Sequence, residues 1–176
     1  ITEMVTGLDL VEWMLLIAAD TPPDFSQKIT VTGASMEARL YAENPVKGFV
    51  PSPGQLSDVK FPLFARVDTW VEKGTVVSAE YDPTLAKIIV HGTDRANALQ
   101  KLRQALDETA VSGCVTNIDY LRSIAHSDMF ASAQVSTKVL DSYDYRPSAF
   151  EIVAPGAYTT VQDLGRKGYW HIGVPP

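Results

Sequence analysis

The chain has 176 residues, of which 45% are hydrophobic and 20% charged, and a net charge of −6, the composition of a globular protein that buries a core. Its acids are spread along the chain and its Lys and Arg form no cluster, which excludes a broad basic face for nucleic acid. The longest apolar run is the seven residues 13–19, far short of the ~20 that span a bilayer; Asp9 and Glu12 precede it and no basic stretch does, so it is not a signal peptide.

The only cysteine, Cys114, has no partner for an internal disulfide and reads as a small buried residue in a reducing cytoplasm. The chain opens at Ile1, in what reads as the middle of an element, and is expected to be a fragment. Leu10, Trp13, Met14 and Ile17 recur at i, i+3, i+4 and i+7, which predicts a helix with one apolar face. Asp9 and Glu12 have capping-box spacing at its start, and Pro22 and Pro23 close it.

From residue 35 to 41 the pattern switches to period two. Met36, Ala38 and Leu40 point one way and Glu37, Arg39 and Tyr41 the other, predicting a half-buried strand. Continued by Glu43, the outward set reads as an ion-paired polar face, with a pocket wall as the functional alternative. Asn44-Pro45 and Pro51-Ser52-Pro53-Gly54 are turn chemistry. Two further strands are expected, over 64–71 and 87–91, with Asp82-Pro83 turning between them. Arg66 emerges from the apolar run Phe61-Pro62-Leu63-Phe64-Ala65. A guanidinium so placed can clamp an anion; on pattern alone it reads as a surface arginine whose stem covers its neighbours. Lys87, five residues after Asp82, reads likewise as a structural partner rather than a catalytic amine.

Gly92 and Asp94 introduce a helix with Ala98, Leu102, Ala105 and Leu106 on one face, Asp94 as its N-cap and Gly113 as its end. Asn117 is expected to cap a second helix, with Ile118, Leu121, Ile124 and Ala125 as its apolar face. Residues 143–147 read as a linker, with a domain boundary near Arg146. Strands are expected over 150–153 and 157–161, around a Pro155-Gly156 turn. Strands come first and helices later, which indicates an α+β fold, a mixed or antiparallel sheet with packed helices, rather than a doubly wound one. There is no Gly-rich phosphate loop, HExxH or GxSxG. His91, His126 and His171 are far apart, and no metal site is assigned to them.

Several segments, in order, resemble the biotin carboxylase family. Gly33-Ala34-Ser35-Met36-Glu37-Ala38-Arg39-Leu40-Tyr41-Ala42-Glu43-Asn44-Pro45, then Phe49-Val50-Pro51-Ser52-Pro53-Gly54, is similar to the family's GHAxEARxxAEDP and FLPSPG. Tyr81-Asp82-Pro83-Thr84-Leu85-Ala86-Lys87 resembles YDxMxxK, Thr116-Asn117 the family's TN, and residues 1–11 its VTExxTGxDLV run. One departure is Ala34-Ser35, where the family's His is absent, a variant associated with the urea carboxylase branch. Residues 155–166 and 168–175 look like the start of that branch's carboxyltransferase domain, and acyl-CoA carboxylases do not continue this way.

The resemblance therefore implies the end of an ATP-grasp region and a biotin carboxylase C-terminal subdomain over 1–145. Over 146–176 it implies a linker and the start of a carboxyltransferase domain. For the full-length enzyme it implies biotin, ATP and Mg2+ as cofactors, bicarbonate and urea as substrates, a biotin carrier domain as partner and a homo-oligomer. The family's metal-binding Glu residues and one catalytic Arg fall in a segment expected before Ile1, so none is assigned here. Arg66 matches the family arginine that stabilises the biotin enolate, which makes it the expected catalytic and biotin-binding residue. The alternative is a non-catalytic packing or oligomerisation piece of another biotin-dependent carboxylase.

Overall fold

A computed structural model describes residues 1–147 and, as backbone, residues 149–154 and 157–162. The chain begins with α1 (Thr2–Thr6), closed by Gly7 at φ 73°, and α2 (Leu10–Ala18). Asp9 caps α2 by accepting from the Glu12 amide at 2.9 Å, as its spacing predicts. The apolar face of α2 behaves differently from expectation. Leu10, Met14 and Ile17 are exposed, and the helix buries no residue among those described. Periodicity says which face of a helix is apolar; it does not place the partner in the same stretch of chain.

Next come β1 (Ala34–Tyr41), β2 (Glu43–Asn44), β3 (Val50–Pro51), β4 (Gly54–Gln55), β5 (Asp58–Lys60), β6 (Arg66–Thr69), β7 (Val76–Val77) and β8 (Thr84–Gly92). In β1, Met36, Ala38 and Leu40 are buried, matching the period-two reading. β8 is the centre of a three-stranded sheet ordered β1-β8-β6, antiparallel on both sides. The strand expected over 64–71 pairs only from Arg66 to Thr69, and the one expected over 87–91 extends to Thr84 and Gly92. A central strand buried on both faces carries an apolar run in place of alternation, and Leu85, Ala86, Ile88, Ile89 and Val90 are all buried. The register shifts between Leu40 and Tyr41, which face Ala86 and Thr84. Leu85 is thus the extra residue of a β-bulge, which bends the strand locally.

α3 (Arg95–Glu108) is capped by Asp94, which accepts from the Asn97 amide at 2.9 Å. It lays Ala98, Leu99, Leu102, Ala105 and Leu106 on Met36, Ala38, Ile88 and Val90 of the sheet. Burying an aliphatic side chain of this kind stabilises by about 1.5–3 kcal/mol, so this face holds the helix. The approach is close at Gly92, where a Cβ would run into the backbone of Asn97 and Ala98; only glycine fits. The helix stops at Glu108, before the expected Gly113, because residues 110–112 form β9 (Ala110–Ser112), which pairs with β5. Three residues are too few to show a period, so this strand leaves no sequence signature.

α4 (Ile118–His126) and α5 (Asp128–Ala131) complete the helical layer. The carbonyls near the ends of α3, α4 and α5 meet arginines. Arg122 donates from Nε and Nη2 to Leu106 O at 3.1 and 2.8 Å, Arg103 donates to Ala125 O at 2.8 Å, and Arg95 donates to Phe130 O at 2.8 Å. Cations at helix C-termini satisfy orphan carbonyls and oppose the dipole. β10 (Ala149–Ala154) and β11 (Ala157–Gln162) pair antiparallel, as expected; the Pro155-Gly156 turn and residues 163–176 lie outside the described residues. The observed class is α+β with small antiparallel sheets.

Asn117 corrects one expectation. It precedes α4 but makes no side-chain cap. Its carboxamide instead accepts from the Tyr41 amide at 2.9 Å and donates to Arg39 O at 3.2 Å, and its own amide donates to Tyr41 O at 3.1 Å. Asn117 is 4% exposed. Removing its side chain strands two backbone groups, so Asn117→Ala is expected to destabilise by about 2–4 kcal/mol. Asn117→Asp, which keeps the acceptor and loses the donor, should fall in between. Denaturant midpoints measure both, and a change in the alanine variant below about 0.5 kcal/mol would show that water replaces the carboxamide.

Candidate functional site on the charged face of the sheet

Opposite α3, the sheet turns its polar face outward. Register places Arg39 of β1, Lys87 of β8 and Asp68 of β6 in one cross-strand row, and Glu37, Ile89 and Arg66 in the next. With strands ~4.8 Å apart, Arg39 and Asp68 stand roughly 10 Å apart across Lys87. The polar reading of Glu37, Arg39 and Tyr41 holds, and the sheet adds two residues that are remote in sequence, Arg66 and Lys87. Sequence patterning treated these as separate features because only the β1-β8-β6 order makes them neighbours.

Arg66 is held on two sides. It donates Nε and Nη2 to the two carboxylate oxygens of Asp68 at 2.9 and 3.3 Å, a bidentate fork, and Nη1 to Glu3 of α1 at 2.5 Å. Asp68, then Glu3, raises the Arg66 pKa above its ordinary value. In return, Arg66 is the main cause holding the Asp68 carboxyl below the usual range, helped by Lys87, whose ammonium lies 3.2 Å away. Glu3 is lowered chiefly by Arg66 and secondly by the Leu10 amide. One carboxylate of α1 thus ties the first two helices to the sheet.

Arg39 is held more loosely. Its Nε donates to Glu37 at 3.0 Å, and its pKa is raised first by Glu37 and then by Tyr41. Its side chain is 61% exposed, against 42% for Arg66. Beyond β1 the face borders a cavity of about 520 Å3, apolar within, where Ala38, Leu106, Phe49, Tyr120, Ile124 and Phe130 line it. Glu37, Arg39, Tyr41 and Glu43 line it too, so the pocket-wall alternative applies to them as well. Burial, then Asp82, raises the Glu43 carboxyl. Cys114 is half-buried and its thiol is pushed up by burial, the signature of an unreactive thiol. His91 bonds Thr32 O at 2.9 Å, a structural role. Among the described residues no group of three or more His, Cys, Asp or Glu is placed to hold a metal, and no helix is long and apolar enough to cross a membrane.

Chemically, this face can fix a negative charge through planar donors, and it carries cations and carboxylates in balance: Arg39, Lys87 and Arg66 against Glu37, Asp68 and Glu3. An incoming anion is therefore best served where a guanidinium is not already saturated. The model of the biotin carboxylase C-terminal domain matches residues 37–142. Urea amidolyases of Lachancea kluyveri and Saccharomyces cerevisiae are 74% and 70% identical over the full chain. The crystal structure of the Kluyveromyces lactis urea carboxylase superposes with a TM-score of 0.83, at 74% identity over 99% of this chain and 16% of that one. The chain spans 10% of the length of each of those two amidolyases.

The Asp68 ion pairs carry a pH signature. A carboxyl whose folded pKa lies below its unfolded one contributes stability in full above the unfolded value, near 4, and loses it as pH falls through the lowered folded value. Asp68→Asn is expected to cost below about 1 kcal/mol at neutral pH, because the group is partly exposed, and the gap to the parent should close toward pH ~2. Thermal melts of both proteins across acid pH test this; a constant gap would assign Asp68 to packing instead.

Proposed function

Since the chain belongs to the biotin carboxylase C-terminal domain family, we propose that it serves as one part of a biotin-dependent, ATP-driven ligase that carboxylates urea to allophanate. The observation that carries the reading is identity of 70–74% to urea amidolyases along the whole chain. Residues 1–145 form the ligase subdomain and residues 146–176 the connector and the start of the transferase unit. Bicarbonate and urea are the substrates, a biotin carrier domain the partner, and the full-length enzyme a homo-oligomer in the cytoplasm.

Biotin fits the charged face in one respect: guanidinium donors stand ready for negative charge on its ureido oxygen. When bound, biotin supplies the ureido nitrogen that carries the carboxyl group. This chain's part is to fix the oxygen's charge through preorganised donors, which need no reorganisation as charge develops. Among the described residues no acidic cluster is placed to hold Mg2+.

Motif order selects Arg66 for the biotin contact. A second reading is favoured by donor use: three Arg66 nitrogens already engage Asp68 and Glu3, whereas Arg39 spends Nε on Glu37 and is the more exposed. Loss of one preorganised donor to an oxyanion costs ~3–4 kcal/mol, two to three decades in rate. In the full-length enzyme Arg66→Ala is expected to cut urea-dependent turnover by that much without unfolding the protein, and Arg66→Lys to restore it only in part, since an ammonium lacks the paired planar donors. Arg39→Ala is the control. If Arg39→Ala carries the loss and Arg66→Ala turns over normally, the contact belongs to Arg39; if neither does, the charged face is not the biotin site. The chain alone should release no ADP dependent on bicarbonate and biotin.

A further inference from the structure

Residues 143–147 read in sequence as a plain linker, yet the structure packs them. Tyr143 is extended, at φ −75° and ψ 113°, the Tyr145 amide turns back to donate to Tyr143 O at 3.0 Å, and burial alternates along the segment. Asp144 and Arg146 face solvent and pair with each other at 2.8 Å. Tyr143 and Tyr145 turn inward onto the buried Tyr120 of α4, edge to face at 5.9 and 5.2 Å, and Phe49 meets the same ring from another side at 5.1 Å. The Tyr143 hydroxyl lies 2.6 Å from Ser123 Oγ. Burial is the first cause raising the Tyr145 pKa, with Asp119 next. Edge-to-face aromatic pairs stabilise beyond the area they bury, and two of them on one ring hold a short strap in place.

We propose that Tyr143 and Tyr145 are positioning residues that anchor the connector on α4, so that the chain leaves the α+β unit at a fixed point and the unit beginning with β10 stays within reach of the ligase site. This rests on the function proposed above, in which the carboxyl group passes between two active units. Release of the anchor lengthens the tether. From Tyr145 to Ala149 the chain takes four steps and from Ser142 seven, so its reach grows from about 14 to about 25 Å. The volume open to the tethered unit grows about fivefold and its effective concentration falls to match.

The test uses the full-length enzyme and the double variant Tyr143→Ala/Tyr145→Ala. Bicarbonate-dependent ATP cleavage with free biotin does not need the tether and should stay within about twofold of the parent. ATP cleavage stimulated by urea needs the hand-off and should fall about fivefold. Amide hydrogen exchange over residues 139–147 should be slow in the parent and fast in the variant. Unchanged urea-stimulated turnover, a parallel fall of both rates, or equally fast exchange in the parent would each overturn the anchor. A parent enzyme with no urea-stimulated ATP cleavage would overturn the function instead, and the exchange result would then decide the anchor alone.

Discussion

Among the described residues strand β1 has β8 on one side and no strand on the other, and a carboxamide 76 residues further along the chain covers the end of that open side. Asn117 offers Tyr41 an acceptor and Arg39 O a donor, the two bonds a neighbouring strand would have made. An edge with unpaired backbone groups is costly when buried and sticky when exposed. By covering the end of that edge, Asn117 ties the start of α4 to the sheet on which α3 already packs. Ser52 does related work nearby: its amide donates to Ala42 O, and its hydroxyl accepts from the Val115 amide. The pairs β2–β3 and β4–β7, two residues long, sit in a frame set by such loop-to-strand bonds.

Because β1 is fixed, the residues on its outer face are fixed too. Arg39 and Glu37 stand on the same strand whose inner residues Met36 and Ala38 lie under α3. Side chains on a rigid strand hold their positions better than side chains on a loop. The second arginine, Arg66, is locked instead by carboxylates, one of them from α1. The same sheet face thus carries one guanidinium bound up in structure and another with donors to spend. That contrast makes the two arginines worth separating by experiment.

The apolar side of α2 and the aromatic strap over α4 show how the segment relates to a longer chain. Met14 and Ile17 are exposed on a helix whose pattern is plainly amphipathic, and the chain covers a small share of its relatives' length. The connector shows the reverse, since tyrosines that read as linker residues are packed.

Local and periodic features were legible in the sequence alone. Asp9 and Asp94 cap the helices their spacing assigns to them, the period-two run of β1 buries Met36, Ala38 and Leu40, and the face of α3 meets the core. Motif order placed the chain in its family, and strands coming first with helices later gave the α+β class. These are properties of a few successive residues, whose side chains must point in set directions once the backbone is helical or extended. What joins distant residues was decided by the tertiary structure. The three-residue β9, the use of Asn117 on a strand edge rather than as a cap, the meeting of Glu3 with Arg66 and the row of Arg39, Lys87 and Asp68 follow from strand order and register. Neither is written in a local pattern, because one register differs from another only through packing across the whole sheet.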